Sequence, residues 1–114
     1  SSILMALMAS CFSGQEFHFH GYLPAKKEEL RSKLIWILNE IRKSHATHIF
    51  METPYRNKQI LELILTHIPS EMKLCIASNL TGPDQIIESR FIKKWNPESL
   101  VKFYDTPSIY LLSK

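Results

Sequence analysis

The sequence predicts an α/β domain whose sheet is covered by helices on both faces. Three observations carry this. Thr47-His48-Ile49-Phe50-Met51 is a short apolar, β-favouring run that ends in a Pro turn, Glu52-Thr53-Pro54-Tyr55-Arg56, and a helical pattern follows it. Phe17-His18-Phe19-His20-Gly21-Tyr22-Leu23-Pro24 ends the same way. Between them Leu30, Leu34, Ile37, Leu38 and Ile41 fall at offsets of zero, four, seven, eight and eleven, one apolar face of an α-helix. An α/β protein places its chemistry at the carboxyl ends of strands, so the two Pro turns predict a site as well as a core.

The elements follow in order. Ser1 or Ser2 caps a helix with interior Ile3 to Ser10, ended by Ser13-Gly14. Phe17, Phe19 and Tyr22 form a strand. Pro24 and Ala25 open a long helix, with Glu28 and Glu29 complementing its positive end and Lys43-Ser44-His45 marking its finish. Ala46 to Met51 is the second strand. Asn57 caps a helix through His67, with Ile60, Leu61, Ile64 and Ile68 inward, and Pro69 stops it. Met72 to Ser78 is a third strand and Thr81-Gly82-Pro83-Asp84 a turn. Ile86 to Ile92 is a fourth strand, joined to the third by a loop alone and so antiparallel to it. Its Glu88, Arg90 and Lys93 alternate with apolar residues, which predicts one wet face. Lys94 to Tyr104 reads as a short helix and Pro107 to Leu112 as the last strand. Strands alternating with helices give the covered sheet.

A chain of 114 residues, 45% hydrophobic and 22% charged, fits one globular domain. It lacks a starting Met and opens inside an amphipathic segment, so a piece cut from a longer protein is expected. The net charge of +3 permits a nucleic-acid partner without requiring one. Cys11 and Cys75 lack metal-ligand spacing and sit in apolar runs, which fits free thiols in a reducing cytoplasm. No run approaches the ~20 apolar residues of a membrane span.

No G-x-S-x-G, P-loop, Cys-x-x-Cys or G-x-G-x-x-G motif occurs. His18-x-His20 puts two imidazoles on one strand face, but no third ligand lies nearby in sequence. Glu52 and Arg56, four apart across a Pro turn, either pair with each other or serve an acceptor substrate, with Arg56 meeting an anionic or planar group and Glu52 orienting it. Tyr22 and Tyr55 can stack on a base or a macrocycle.

These segments carry a family resemblance. Phe19-His20-Gly21-Tyr22-Leu23-Pro24, followed by a Lys-rich helix start, resembles the F-x-G-[YF]-L-P-x-K segment of the ribosomal RNA cytidine-2′-O-methyltransferase branch of the tetrapyrrole methylase family. Ile49-Phe50-Met51-Glu52-Thr53-Pro54-Tyr55-Arg56 is similar to that branch's strand followed by E-[ST]-x-[HY]-R, and Ser1-Ser2-Ile3 resembles the end of its inter-domain G-P-[SC]-[SA] turn. The resemblance implies a mixed five-stranded sheet, the C-terminal domain of the tetrapyrrole methylase fold, with residues 1–114 forming one of two domains. It implies S-adenosyl-L-methionine as cofactor. RNA (a ribose 2′-hydroxyl) or a tetrapyrrole would be the methyl acceptor, and the enzyme a homodimer. The cofactor-binding residues it implies are Ser1, Ser2 and Ile3, Met51, Asn79 and Leu80, and Pro107 and Ser108. Glu52 and Arg56 are the catalytic candidates. One departure stands out. The branch follows its third strand with A-R-E-[LI]-T, where this chain has Ala77-Ser78-Asn79-Leu80-Thr81, without the Arg and Glu.

A second class of function is an interaction module. It would use Lys26, Lys27, Arg31, Lys33, Arg42 and Lys43 to meet an acidic partner.

Overall fold

The structure is a computed structural model that describes residues 2–114. Strands β1 (Phe17–Tyr22), β2 (Thr47–Glu52), β3 (Lys73–Ser78), β4 (Ile86–Phe91) and β5 (Ser108–Ser113) form one sheet in the order β1-β2-β5-β3-β4. β1 and β2 run parallel and every other pairing is antiparallel, so the sheet is mixed. Helix α1 (Ser2–Ser10) covers one face. Helices α2 (Lys27–Lys43) and α3 (Asn57–His67) cover the other.

Strand alternation divides the core into two layers. Ile49, Cys75, Ala77 and Leu111 point toward Ala6 and Leu7 of α1. Phe50, Leu74, Ile76, Tyr110 and Leu112 point toward α2 and α3, where they meet the buried faces of both helices. All five apolar residues of the α2 stripe are buried, as the periodicity predicts. So are Ile60, Leu61, Ile64 and Ile68 around α3. Each such side chain contributes about 1.5–3 kcal/mol of transfer free energy on burial.

Several element ends differ from the sequence expectation. α1 stops at Ser10, ahead of Ser13-Gly14, because Cys11 turns the backbone left-handed at φ 63°. The Ser10 hydroxyl helps close the helix by donating to the Leu7 carbonyl and accepting from the Phe12 N–H. α2 opens at Lys27, later than Pro24-Ala25, because Leu23 and Pro24 belong to the turn that closes over the sheet end. Asn57 is the first residue of α3, yet makes no cap; its side chain crosses to the loop before β5. The expected helix 94–104 is broken into a 3-10 turn, Ile92–Lys94, a four-residue α4, Pro97–Leu100, and another 3-10 turn, Val101–Phe103. Pro97 disfavours helical backbone at Asn96. Asn96 instead caps α4, accepting from the Ser99 N–H at 2.9 Å.

The wet face of β4 is also the reverse of the expectation. Glu88 and Arg90 lie on the α2–α3 side and are half-covered, while Ser89 and Phe91 are exposed. The charges tolerate this because Glu88 pairs with Arg90 and Lys102, and the Arg90 guanidinium lies over the Trp95 ring.

α1 is apolar nearly all round, and only part of it meets the sheet. Met8 is 79% exposed, Met5 is exposed, and Phe17 and Phe19 on the edge strand β1 are exposed as well. No helix is long and apolar enough to cross a membrane among the described residues.

Candidate functional site

β2 and β3 finish, and the antiparallel β5 begins, at the same edge of the sheet. A cleft of about 340 Å³ opens there. Its apolar wall is Met51, Ala77, Leu80, Pro107 and Ile109, and the polar residues Ser2, Tyr22, Glu52, Asn79 and Ser108 complete its lining. Apolar walls with a few convergent polar atoms suit a small organic ligand. Of the residues that the sequence offers for a cofactor, Ser2, Met51, Asn79, Leu80, Pro107 and Ser108 surround this one cleft. Ile3 packs beside it in the α1 layer of the core. Ser1 lies outside the described residues.

The backbone around the cleft is specialised. Asn79 and Thr81 hold left-handed conformations, φ 52° and 66°, in the loop after β3. Asn is among the residues that reach this region at least cost. Asn79 donates its N–H to the Pro107 carbonyl at 3.3 Å, tying the end of β3 to the entry of β5.

Beneath these loops runs a buried polar network. The Ser78 and Ser108 hydroxyls are 2.7 Å apart, and Thr106 Oγ1 donates to Ser78 Oγ at 3.0 Å. Asn57, fully buried, donates to the carbonyls of Phe103 at 2.7 Å and Thr106 at 2.5 Å. Its Oδ1 accepts from the Tyr110 hydroxyl at 2.6 Å. Burial pushes the Tyr110 phenol well above its ordinary pKa, so it acts as a neutral donor.

Glu52 and Arg56 come together, but not as a surface pair. Strand alternation turns the Glu52 carboxylate away from Met51 and toward the helices, where its side chain is 1% exposed. Oε1 accepts from the Thr53 N–H at 2.9 Å and lies 3.5 Å from Arg56 Nε. Oε2 is buried without a partner among the described residues. Arg56 donates to the Pro24 carbonyl at 3.0 Å, so the guanidinium ties the β1–α2 turn to the β2–α3 turn. Tyr55 is 84% exposed and stands outside the cleft.

Tyr22 reaches the cleft through a β-bulge. The register runs Phe19↔Ile49 and then Tyr22↔Met51, so β1 spends three steps where β2 spends two. Gly21 absorbs the extra residue at φ +67°. The bulge moves Tyr22 to the Met51 side. Simple alternation would leave it beside His20. Ala77 and Ile109 escape a motif-based reading, although their parity with Met51 across paired strands marks them as facing the same side.

The histidines lie elsewhere. His20 Nε2 and His48 Nδ1 share a 2.8 Å hydrogen bond on the α2 side, with His18 stacked on His48 and Trp36 edge-on to His20. Burial, then the neighbouring imidazole and Lys33, lower the His20 pKa to about 4, and burial also lowers that of His48. No group of three or more His, Cys, Asp or Glu side chains is arranged to hold a metal among the described residues.

With this geometry in view, comparison with known proteins gives a consistent result. No protein-family model matches the chain. It is 33% identical over 87 residues to the ribosomal RNA small subunit methyltransferase I of Vibrio cholerae serotype O1, a match spanning 76% of this chain and 29% of that protein. Its fold superposes on the methyltransferase CobJ with a TM-score of 0.63 at 19% identity, covering 98% of this chain and 47% of CobJ. It superposes on the cobalamin biosynthetic enzyme cobalt precorrin-4 methyltransferase, CbiF, with a TM-score of 0.62 at 13% identity, over 99% and 48% of the two chains. The uroporphyrin-III-C-methyltransferase of Thermus thermophilus gives 0.56 at 14% identity, over 100% and 48%. The chain thus spans under a third of the curated relative and about half of each solved enzyme. The chain therefore has the fold of these methyltransferases, and the sequence match and the superpositions together support the tetrapyrrole methylase family.

Proposed function

We propose that this chain is the C-terminal domain of a two-domain S-adenosylmethionine-dependent methyltransferase that acts on RNA at a ribose 2′-hydroxyl. The observation that carries the proposal is the convergence of Ser2, Met51, Asn79, Leu80, Pro107 and Ser108, from four separate parts of the sequence, on one cleft at the strand ends. The cleft fits the nucleoside end of the cofactor. Met51, Leu80 and Pro107 offer apolar walls, and Asn79 and Ser108 border them with polar groups.

S-adenosylmethionine supplies the electrophilic methyl group. The protein's task is alignment. A sulfonium loses its positive charge on transfer, so a strongly anionic wall would stabilise the ground state more than the transition state. Among the described lining residues Glu52 alone carries a charge, and its carboxylate is turned away beside Arg56. In this reading Glu52 and Arg56 act at the catalytic end by holding the two turns that frame the cleft. Tyr22, 60% exposed at the mouth, is the side chain best placed to meet the acceptor.

RNA is favoured by the identity to a ribosomal RNA methyltransferase, with the basic chain consistent with it. A tetrapyrrole acceptor is the second reading, favoured by the likeness to CbiF and the uroporphyrin-III-C-methyltransferase. A homodimer is supported by the exposed apolar side chains of Met5, Met8, Phe17 and Phe19, and a reducing, cytoplasmic setting by the free Cys11 and Cys75.

Calorimetric titration of S-adenosylhomocysteine into the full-length protein tests the cofactor reading. Ser108→Trp, whose ring has no room beside Ser78 and Thr106 and must shift the strand end that borders the cleft, is expected to weaken binding by about tenfold or more. Unchanged affinity in a folded variant overturns the placement. No binding to the folded wild type overturns the cofactor reading and favours an interaction module, recognisable by salt-dependent RNA binding without methyl transfer.

A further inference from the structure

We infer that Asn57, which is buried outside the cleft, is the positioning residue for ligand binding, acting through the loop 103–108 that carries Pro107 and Ser108. The inference rests on the cofactor reading for what is bound, but its mechanical content stands on the hydrogen bonds alone.

The bonds that loop 103–108 makes within itself are short-range, among them Thr106 Oγ1 to Phe103 O at 3.2 Å and Ser108 Oγ to Thr106 O at 3.0 Å. It leaves a 3-10 turn at Phe103 and enters β5 at Ser108, and its internal main-chain bonds in the turn are Tyr104 N–H to Val101 O at 3.1 Å and Thr106 N–H to Phe103 O at 3.4 Å. Asn57 adds the tie that fixes the loop to α3. The two N–H groups of its amide donate to the carbonyls at either side of the bend, Phe103 and Thr106. Its carbonyl accepts from Tyr110, which fixes which end of the amide faces the loop. A side chain with two donors and an acceptor is required here. Fixing Thr106 fixes its hydroxyl, which donates to Ser78 and contacts Ser108 at 3.3 Å. It also fixes the Pro107 carbonyl that receives the Asn79 N–H. One amide on α3 thereby sets three of the cleft's walls, Asn79, Pro107 and Ser108.

The test is Asn57→Asp in the full-length protein. The isosteric carboxylate keeps the acceptor for Tyr110 and presents lone pairs to the carbonyls of Phe103 and Thr106. Two readouts are taken: S-adenosylhomocysteine affinity at pH 8 and pH 5.5, and hydrogen exchange of the amides of Asn79, Thr106 and Ser108. At pH 8 affinity is expected to fall by about tenfold, with faster exchange at those amides. At pH 5.5 a protonated carboxyl donates to one of the two carbonyls and no longer repels the other as an anion, so affinity is expected to recover part of the way to the wild-type value at that pH, whereas Asn57→Ala stays weak at both. Wild-type affinity and exchange in Asn57→Asp at pH 8 overturn the inference, as does a loss identical to that of Asn57→Ala at both pH values. Should Asn57→Asp fail to fold, Tyr110→Phe removes only the bond that orients the amide. Faster exchange at Ser108 then supports the inference and unchanged exchange overturns it. Failure of the wild type to bind S-adenosylhomocysteine overturns the cofactor reading alone, and the exchange data still decide the role of Asn57.

Discussion

His20 and His48 are the side chains through which pH reaches the fold. They share one hydrogen bond at 2.8 Å, which needs one nitrogen to donate and the other to accept. Protonating both would set two N–H groups against each other. Burial and neighbouring positive groups hold the folded His20 pKa at about 4, against 6.5 in the unfolded chain. Below pH 6.5 the unfolded state therefore takes up the proton first. The pair's contribution to stability is complete above that pH, declines as pH falls toward 4 and levels off below. Urea titrations from pH 8 to pH 4 should show this decline, and His20→Asn should reduce it, leaving the part that His48 contributes. A wild-type profile flat from pH 6.5 to 4 would refute the assignment. At this scale the sequence reveals some things and hides others. It places Met51 and Asn79 at strand ends, where the cleft forms. It offers Tyr22 as a stacking side chain but hides the face it takes, because a bulge at Gly21 shifts its parity and nothing local announces it. It also hides the depth of Glu52, because a Glu after an apolar run reads as the first surface residue. Here the turn folds back over it and Arg56 closes the lid.

Among the elements, α2 is the most legible and the most sensitive to change. Its apolar stripe was fixed by a 3.6-residue period, and Leu34 sits at the centre of that stripe, fully buried. Leu34→Ala is expected to destabilise the domain by about 2–5 kcal/mol, the usual range for a core truncation of this size, read from denaturant midpoints. A loss under about 1 kcal/mol would mean that α2 docks less tightly than its burial indicates. Helix ends were less legible. Asn57 has the chemistry of a cap, and local sequence offers no sign that its partners lie more than forty residues away at Phe103, Thr106 and Tyr110. β4 misled for a related reason. Charges alternating along a strand imply a wet face, and only the tertiary arrival of Lys102 and Trp95 shows how that face is covered.

For the whole molecule, the two faces of the sheet are unequal. The α2–α3 face is covered by two helices, while the other face leaves Met8 of the uncharged α1, and Phe17 and Phe19 of the edge strand β1, in solvent. A surface without charge suits contact between identical copies, where like charges would otherwise meet across the two-fold axis. Met8→Lys in the full-length protein is expected to shift sedimentation from dimer toward monomer while preserving the fold by circular dichroism. A monomeric wild type, or a dimer untouched by the substitution, would remove α1 from the interface. The sheet order carries a separate consequence. β5, the last strand in sequence, lies between β2 and β3 and hydrogen-bonds to both. Until residues 108–113 leave the ribosome, the sheet exists as two unconnected pairs, β1–β2 and β3–β4, each with an open edge where β5 belongs. Both pairings of β5 are distant in sequence, at least thirty residues for β3 and more for β2, so closure is a slow, late event. During synthesis the apolar strands 47–52 and 73–78 are therefore exposed for the time it takes to make the remaining residues. That interval is when the nascent chain is most open to chaperone capture or to mispairing with another copy.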